Sequence, residues 1–164
     1  MPVVSDTSPI LNLAIIRRLS LLWEQFGEVW IPPAVLKELR VEESLPGNDL
    51  IREALETGWL KTETVMNSSL VQALRRELDK GEAEAIALAL QMNAECILLD
   101  ERDARRVARS FGLKVTGVLG VLLRAKKEGK LSELRREMEE LRREAGFFIG
   151  MELYVELLRE SGEI

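Results

Sequence analysis

The sequence contains no histidine and only one cysteine, Cys96, in 164 residues. These absences exclude a Ser-His-Asp triad, a histidine-bound zinc site, a Cys-His nucleophile pair and an internal disulfide. Any acid–base or metal chemistry must therefore depend on carboxylates. No apolar run is long enough for a membrane span and no signal peptide is recognisable, so we expect a cytoplasmic protein that makes no membrane contact.

The charge balance narrows the function further. Acidic side chains outnumber basic ones, 28 to 23, and the net charge is −5. This balance argues against a general nucleic-acid coat protein, but it is compatible with a local basic patch.

Short apolar runs alternate with periodic helical runs through most of the chain. The expected strands are 3–4, 29–31, 59–62, 96–99 and 114–116, the third of them near a sheet edge because it carries polar residues. The expected helices are 10–26, 34–43, 49–57, 68–78, 82–92, 102–111, 118–127, 132–144 and 152–159. The alternation implies an α/β protein with a parallel sheet and right-handed crossovers. We expect a single domain over 1–164, with 118–164 as a helical extension packed on it.

Two of the expected strands end on an aspartate. Asp6 follows Val3 and Val4, and Asp100 follows the apolar run 96–99. Ser8 is expected to cap the next helix, which leaves the Asp6 carboxylate free for another role. Ligands of open parallel sheets bind at the carboxyl ends of the strands, so the two aspartates would be neighbours at such a site if the strand order reverses between them.

Four further acids are candidates for the same place, and most of them also have a plainer explanation. Glu82 has the spacing of a capping box with Asp79. Glu84 lies at the start of a buried, Ala-rich helix, has no such role and needs a partner, which favours metal binding. Glu38 and Asp103 are either ordinary helix acids or ligands. For Glu38 the surface interpretation is favoured, because most helical glutamates are solvated.

Several carboxylates in one crevice repel one another, and a divalent cation removes that repulsion. All-oxygen ligands suit Mg²⁺ or Mn²⁺. Such an ion activates water and stabilises charge on a phosphoryl oxygen. Without histidine, this is the most natural hydrolytic chemistry open to the chain.

The order and spacing of several segments resemble those of a PIN domain. The segments are Val3–Pro9, Pro33–Leu39, Gly81–Ala89 and Leu98–Arg105. The whole chain resembles the branch of predicted nucleic-acid-binding PIN proteins, which also show segments like Gly117–Gly120 and Gly146–Phe148. The resemblance implies a three-layer α/β/α sandwich with a central parallel sheet, and a relation to VapC-type ribonuclease toxins.

The resemblance also implies roles for individual acids. It implies a catalytic and metal-binding set of Asp6, Glu38, Glu84 and Asp100, with Asp103 as an additional metal ligand. Ser8 resembles a small hydroxyl residue that holds water at the metal, and Glu82 is an additional acid whose role is left open. The third acid is a glutamate here where many family members have aspartate, so the metal geometry is expected to differ.

Basic residues after Asp100 are candidates for RNA contact. Arg102, Arg105, Arg106 and Arg109 recur at three- and four-residue spacing, as a phosphate-binding stripe would. The alternative is a solvated helix face paired with neighbouring acids, which is the commoner case. No aromatic residues are interleaved with these arginines for base stacking, so sequence specificity is not readable.

The leading hypothesis is a Mg²⁺- or Mn²⁺-dependent endoribonuclease, the toxin of a type II toxin–antitoxin pair. RNA, an antitoxin protein and a second copy of the chain are the expected partners, the last because PIN proteins of this kind are commonly dimers. A phosphatase-like domain with Asp6 as nucleophile is less favoured, because no second aspartate follows two residues later. A non-catalytic PIN scaffold that binds RNA or a protein stays open as the alternative.

Overall fold

The computed structural model describes residues 2–164. Its centre is a parallel sheet of five short strands in the order β3-β2-β1-β4-β5. The strands are β1 (Val3–Ser5), β2 (Val29–Ile31), β3 (Leu60–Thr62), β4 (Cys96–Leu98) and β5 (Val115–Thr116). Every neighbouring pair is parallel. The predicted parallel α/β sheet is confirmed, and the polar third strand lies at an edge.

Ten helices flank this sheet in the part of the chain that the structure describes. They are α1 (Thr7–Ile15), α2 (Ser20–Phe26), α3 (Pro33–Leu39), α4 (Asn48–Thr57), α5 (Ser68–Leu74), α6 (Lys80–Gln91), α7 (Arg102–Ser110), α8 (Val118–Lys127), α9 (Leu134–Ala145) and α10 (Met151–Glu160). No helix within residues 2–164 has both the length and the hydropathy that crossing a membrane requires.

The strand order reverses at β1, which pairs with β2 on one side and with β4 on the other. Ser5 lies opposite Leu98, and the Asp6 amide donates a 3.0 Å hydrogen bond to the Leu98 carbonyl. The chain segments that carry Asp6 and Asp100 therefore leave the sheet side by side at its carboxyl edge, as the sequence predicts.

Each face of the sheet is covered by its own apolar cluster. Val3 and Leu98 point into a cluster built with α1, α8 and α9, whereas Val4 and Ile97 point into one built with α6 and α7. This alternation is the period of a strand that is buried on both faces. The sheet with helices on both faces forms the expected sandwich. The apolar stripe of α9, which is Leu134, Met138 and Leu141, is fully buried in the first cluster.

Three local predictions about helix ends are wrong. The predicted helix 10–26 is interrupted, because Arg17 adopts a left-handed conformation (φ 64°) and pairs with Asp49 through two 2.8 Å hydrogen bonds. Ser8 is not an N-cap: α1 begins one residue earlier, and Asp6 holds the N-cap position without a side-chain cap bond. The predicted helix 132–144 begins later, at Leu134, and the first amides of α9 donate to the Glu163 carboxylate.

Candidate active site

Two acids, Asp6 and Glu38, lie close together against the first turn of α6. The Asp6 side chain follows β1 and is only 6% exposed. Glu38 lies in the last turn of α3, where its Oε2 accepts a 3.0 Å hydrogen bond from Thr7 Oγ1. Gly81, in the first turn of α6, lies against both: a methyl group there would overlap Glu38 Oε1 and approach Asp6 Oδ1 to 3.2 Å. Glycine at position 81 therefore allows the Glu38 carboxylate to lie against the backbone of α6, close to Asp6.

Burial and negative neighbours change the protonation of Asp6. Burial raises the pKa of the Asp6 carboxyl to about 7, against the opposing hydrogen bond from the Thr7 amide. The charges of Asp79, Glu82 and Glu38 raise it further. The local excess of negative charge therefore favours either a proton on Asp6 or a bound cation.

Glu82 forms the predicted capping box and also lies near Asp6. Its amide donates to Asp79 Oδ1 at 2.8 Å, and its Oε1 accepts from the Asp79 amide at 3.1 Å, so the predicted capping box is confirmed. The side chain is also buried, which raises the pKa of Glu82, as do the charges of Asp79, Glu101 and Glu38. The capping box therefore holds Glu82 on the side of α6 that faces Asp6.

Glu84 points elsewhere. Its Oε1 accepts a 3.0 Å hydrogen bond from the Ala34 amide, in the first turn of α3. The partner that this glutamate needs is therefore a helix N-terminus, where free amides and the helix dipole favour a carboxylate. The structure does not bring Glu84 together with Asp6, Glu38 and Asp100.

Both carboxylate oxygens of Asp100 accept hydrogen bonds. Ser8 Oγ donates to Oδ2 at 2.7 Å, and the Val118 amide at the start of α8 donates to Oδ1 at 2.8 Å. Asn12 Nδ2 in turn donates to Ser8 Oγ at 2.9 Å. Burial raises the pKa of Asp100, while these hydrogen bonds oppose the shift. Gly117 allows this arrangement, because a methyl group there would lie 2.6 Å from Asp100 Oδ1.

The four predicted RNA-binding arginines do not act as one stripe. Arg105 turns inward, where its Nη1 donates to the Leu99 carbonyl at 2.8 Å, and burial lowers its pKa. Arg106 pairs with Glu77 at 2.9 Å. Arg102 and Arg109 are exposed and form no ion pair within residues 2–164. Asp103, the additional predicted ligand, is exposed in the first turn of α7.

The side chains near Asp6 can supply only some of the ligands that a divalent cation needs. Within residues 2–164, no group of three or more acidic or cysteine side chains is close enough to hold one ion. Asp6 and Glu38 nevertheless bring carboxylate oxygens close to the same point beside Gly81. Mg²⁺ commonly binds through one or two carboxylates and keeps water and substrate phosphate as its other ligands. The Asp6–Glu38 pair suits that mode.

A parallel α/β sandwich with carboxylates at the switch point of its sheet belongs to the class of α/β proteins that bind ligands at the carboxyl ends of their strands. Comparison with known proteins gives the family. Residues 2–163 match the model of the family DUF3368, described as a PIN domain. The chain belongs to this family, and PIN domain proteins are commonly nucleases that use divalent metals.

A solved structure supports the fold. The chain is similar to a PilT N-terminus domain protein from the hyperthermophilic archaeon Sulfolobus solfataricus P2, with a TM-score of 0.51 and 19% sequence identity. The match covers 74% of this chain and 90% of that protein. A search of curated proteins finds no match to this chain.

Sequence reasoning missed three groups that shape the site. Gly81 belongs to the segment Gly81–Ala89 that carries the resemblance. Its contact with two carboxylates, however, depends on how α3 packs against α6. The Val118 amide carries no side-chain signal at all. Asn12 lies one helical turn after Ser8, and this spacing alone could have indicated that the two side chains meet.

Proposed function

We propose that the chain is a divalent-metal-dependent endoribonuclease that uses Mg²⁺ or Mn²⁺. One observation carries the proposal. Asp6 is buried, Glu38 lies beside it against Gly81, and the charges of Asp79, Glu82 and Glu38 all raise the pKa of Asp6. Burying an ionised carboxylate among other carboxylates is costly without a cation.

The roles follow from the geometry. Asp6 and Glu38 are the proposed ligands of the ion, and Asp79 and Glu82, rather than Glu84, add further negative charge to their surroundings. Asp100, held by Ser8 and the Val118 amide, is the second strand-end acid, and its proposed role is to orient water. When bound, a divalent ion activates water as a nucleophile and offsets charge on a phosphoryl oxygen.

The substrate side of the site is basic. Arg102 and Arg109 are exposed on α7, directly after Asp100, and are the arginines that remain free to contact phosphates. The toxin role, an antitoxin partner and a homodimer remain part of the proposal, on the strength of the resemblance to VapC-type toxins.

Cleavage of a labelled single-stranded RNA, with and without Mn²⁺, tests the proposal. We expect cleavage only with the metal, and a loss of at least a hundredfold in Asp6→Asn. The matched control is Asp49→Asn, since Asp49 is an exposed aspartate that pairs with Arg17 in another region. Full activity in Asp6→Asn would contradict the assigned mechanism.

A non-catalytic PIN scaffold is the second candidate, and the lack of a three-acid cluster within residues 2–164 favours it. Thermal unfolding distinguishes the two functions, because an ion that binds only the folded state raises the melting temperature. No increase at millimolar Mn²⁺, together with retained RNA binding, would support the scaffold.

A further inference from the structure

A cavity beside Asp100 has no role in the chemistry proposed above. It has a volume of about 400 Å³ and lies between the end of β5, the start of α8, and the 146–150 segment with α10. Asp100, Arg105 and Thr116 supply its polar lining, and its apolar lining includes Phe147, Phe148 and Leu153. The size is that of a site for a small organic group.

The rim of this cavity is aromatic and open to solvent. Phe148 is 76% exposed and Leu153 is 48% exposed, while Phe147 packs on the core below them. Exposed large apolar side chains next to a polar cavity mark a binding surface. Phe148 lies between two glycines, Gly146 and Gly150, on a segment without helix or strand.

The cavity extends from Phe148 and Leu153 at its rim to Arg105 and to Asp100 of the proposed active site. Arg105 is fixed by its 2.8 Å hydrogen bond to the Leu99 carbonyl. A methyl group at Gly117 would lie within 2.8 Å of both the Arg105 guanidinium and the Asp100 carboxylate, so these two groups meet at one end of the cavity. A ligand there would have its apolar part near Phe148 and an anionic part near Arg105.

We propose that this cavity binds one nucleobase of a single-stranded RNA, next to the nucleotide whose phosphate is at Asp6 and Asp100. The inference rests on the proposed ribonuclease function, which it deepens. A nucleobase has the flat face that stacks on phenylalanine, and its phosphate complements a guanidinium. A second copy of the chain would instead cover Asp100 and Arg105 without providing a phosphate, which is unfavourable for these charged groups.

The proposed site predicts weak sequence preference. Stacking on Phe148 accepts any base, because every base has a π-face. Few polar side chains are available to read a base edge, since Asp100 accepts from Ser8 and the Val118 amide and Arg105 is assigned to the phosphate. Thr116 is the one neutral polar side chain in the lining.

Equilibrium binding without cleavage tests this site. A fluorescent oligouridylate and a ribose-phosphate strand of equal length without bases are titrated with the full chain in EDTA. We expect the wild type to bind the strand with bases more tightly, by about fivefold to a hundredfold. Phe148→Ala should remove most of that difference, and Phe148→Trp should retain it. Trp23→Ala is the control, because Trp23 is an exposed aromatic residue on α2 and does not line this cavity.

The outcomes separate this site from the nuclease proposal. Unchanged base-dependent binding in Phe148→Ala would overturn the base site, as would equal binding of both strands by the wild type. A dimer that Phe148→Ala converts to a monomer, with RNA binding unchanged, would assign the cavity to a subunit interface and overturn it too. Base-dependent binding that needs Phe148, without any metal-dependent cleavage, would support the base site while rejecting the nuclease.

Discussion

Ser8 Oγ donates a 2.7 Å hydrogen bond to Asp100 Oδ2, across 92 positions of the chain. The contact ties the first turn of α1 to the end of β4. Asn12 and the Val118 amide complete the set of donors around this carboxylate and its partner. Asp100 therefore has a fixed orientation, and Ser8 acts on the site through it.

The first prediction concerns this contact. Ser8→Ala should lower the free energy of unfolding by about 1–2 kcal/mol, because a buried carboxylate loses a donor. In the wild type, the hydrogen bond from Ser8 lowers the pKa of Asp100. Its removal should raise that pKa and move the acidic limb of the pH–rate profile to higher pH. Urea unfolding and the pH–rate profile measure the two effects. Ser8→Thr keeps the hydroxyl and should restore both, and an unmoved acidic limb in Ser8→Ala would contradict the role.

The second prediction concerns the close contact between Gly81 and the Glu38 carboxylate. Gly81→Ala adds a methyl group that overlaps Glu38 Oε1 and must displace that flexible carboxylate. Since alanine also favours the helix, by about 0.5–1 kcal/mol, we expect little change in stability. The affinity for Mn²⁺ should nevertheless fall at least about tenfold, since a shift of one ligand by a fraction of an ångström weakens a metal site. Isothermal titration measures the affinity.

Gly150→Ala is the matched control for the Gly81 variant, because its added methyl group meets nothing within 4 Å. It should bind Mn²⁺ as the wild type does. Equal Mn²⁺ affinity in the Gly81→Ala variant would show that the ion binds outside the Asp6–Glu38 pair.

The third prediction separates Glu82 from Glu84. Glutamine preserves one acceptor oxygen of each side chain, removes the charge and replaces the other oxygen by an amide group. Glu82→Gln should therefore keep the capping box but impair Mn²⁺ binding and cleavage, because one of the charges beside Asp6 disappears. Glu84→Gln should retain cleavage and lose about 0.3–1 kcal/mol of stability at the N-terminus of α3. Cleavage assays and thermal unfolding of both variants check this, and the reverse pattern would restore Glu84 to the site.

The sequence predicts the sheet well because strand signals here are strong and local. Val3, Val4 and the run 96–99 are apolar on both faces, and each precedes an acid, so both the strand type and the location of Asp6 and Asp100 can be read directly. The interruption at Arg17 is different: its left-handed backbone accompanies a pairing with Asp49, 32 residues away, which no window of sequence contains.

The acids of α6 show the limit of pattern reasoning at the site. Glu82 and Glu84 are two residues apart on one helix, so they point to different sides of it. The sequence offers a cap for Glu82 and no partner for Glu84, which suggested that Glu84 was the free ligand. The missing information is the position of α3, whose N-terminus supplies that partner.

The last prediction uses the protonation of Asp6. Burial raises the pKa of Asp6 from 3.8 to about 7, so the folded state holds a proton that the unfolded state has released between these values. Stability therefore falls as the pH rises from about 4 to 7, and above 7 the loss is constant, on the order of 4 kcal/mol as an upper bound. Asp6→Asn cannot ionise, so its metal-free form should melt several degrees above the wild type at pH 8 and near it at pH 4. Asp103→Asn, an exposed carboxylate variant, should show no such pH-dependent gain. Thermal unfolding in EDTA across this range measures the difference, and a constant offset between Asp6→Asn and wild type would show that Asp6 ionises normally.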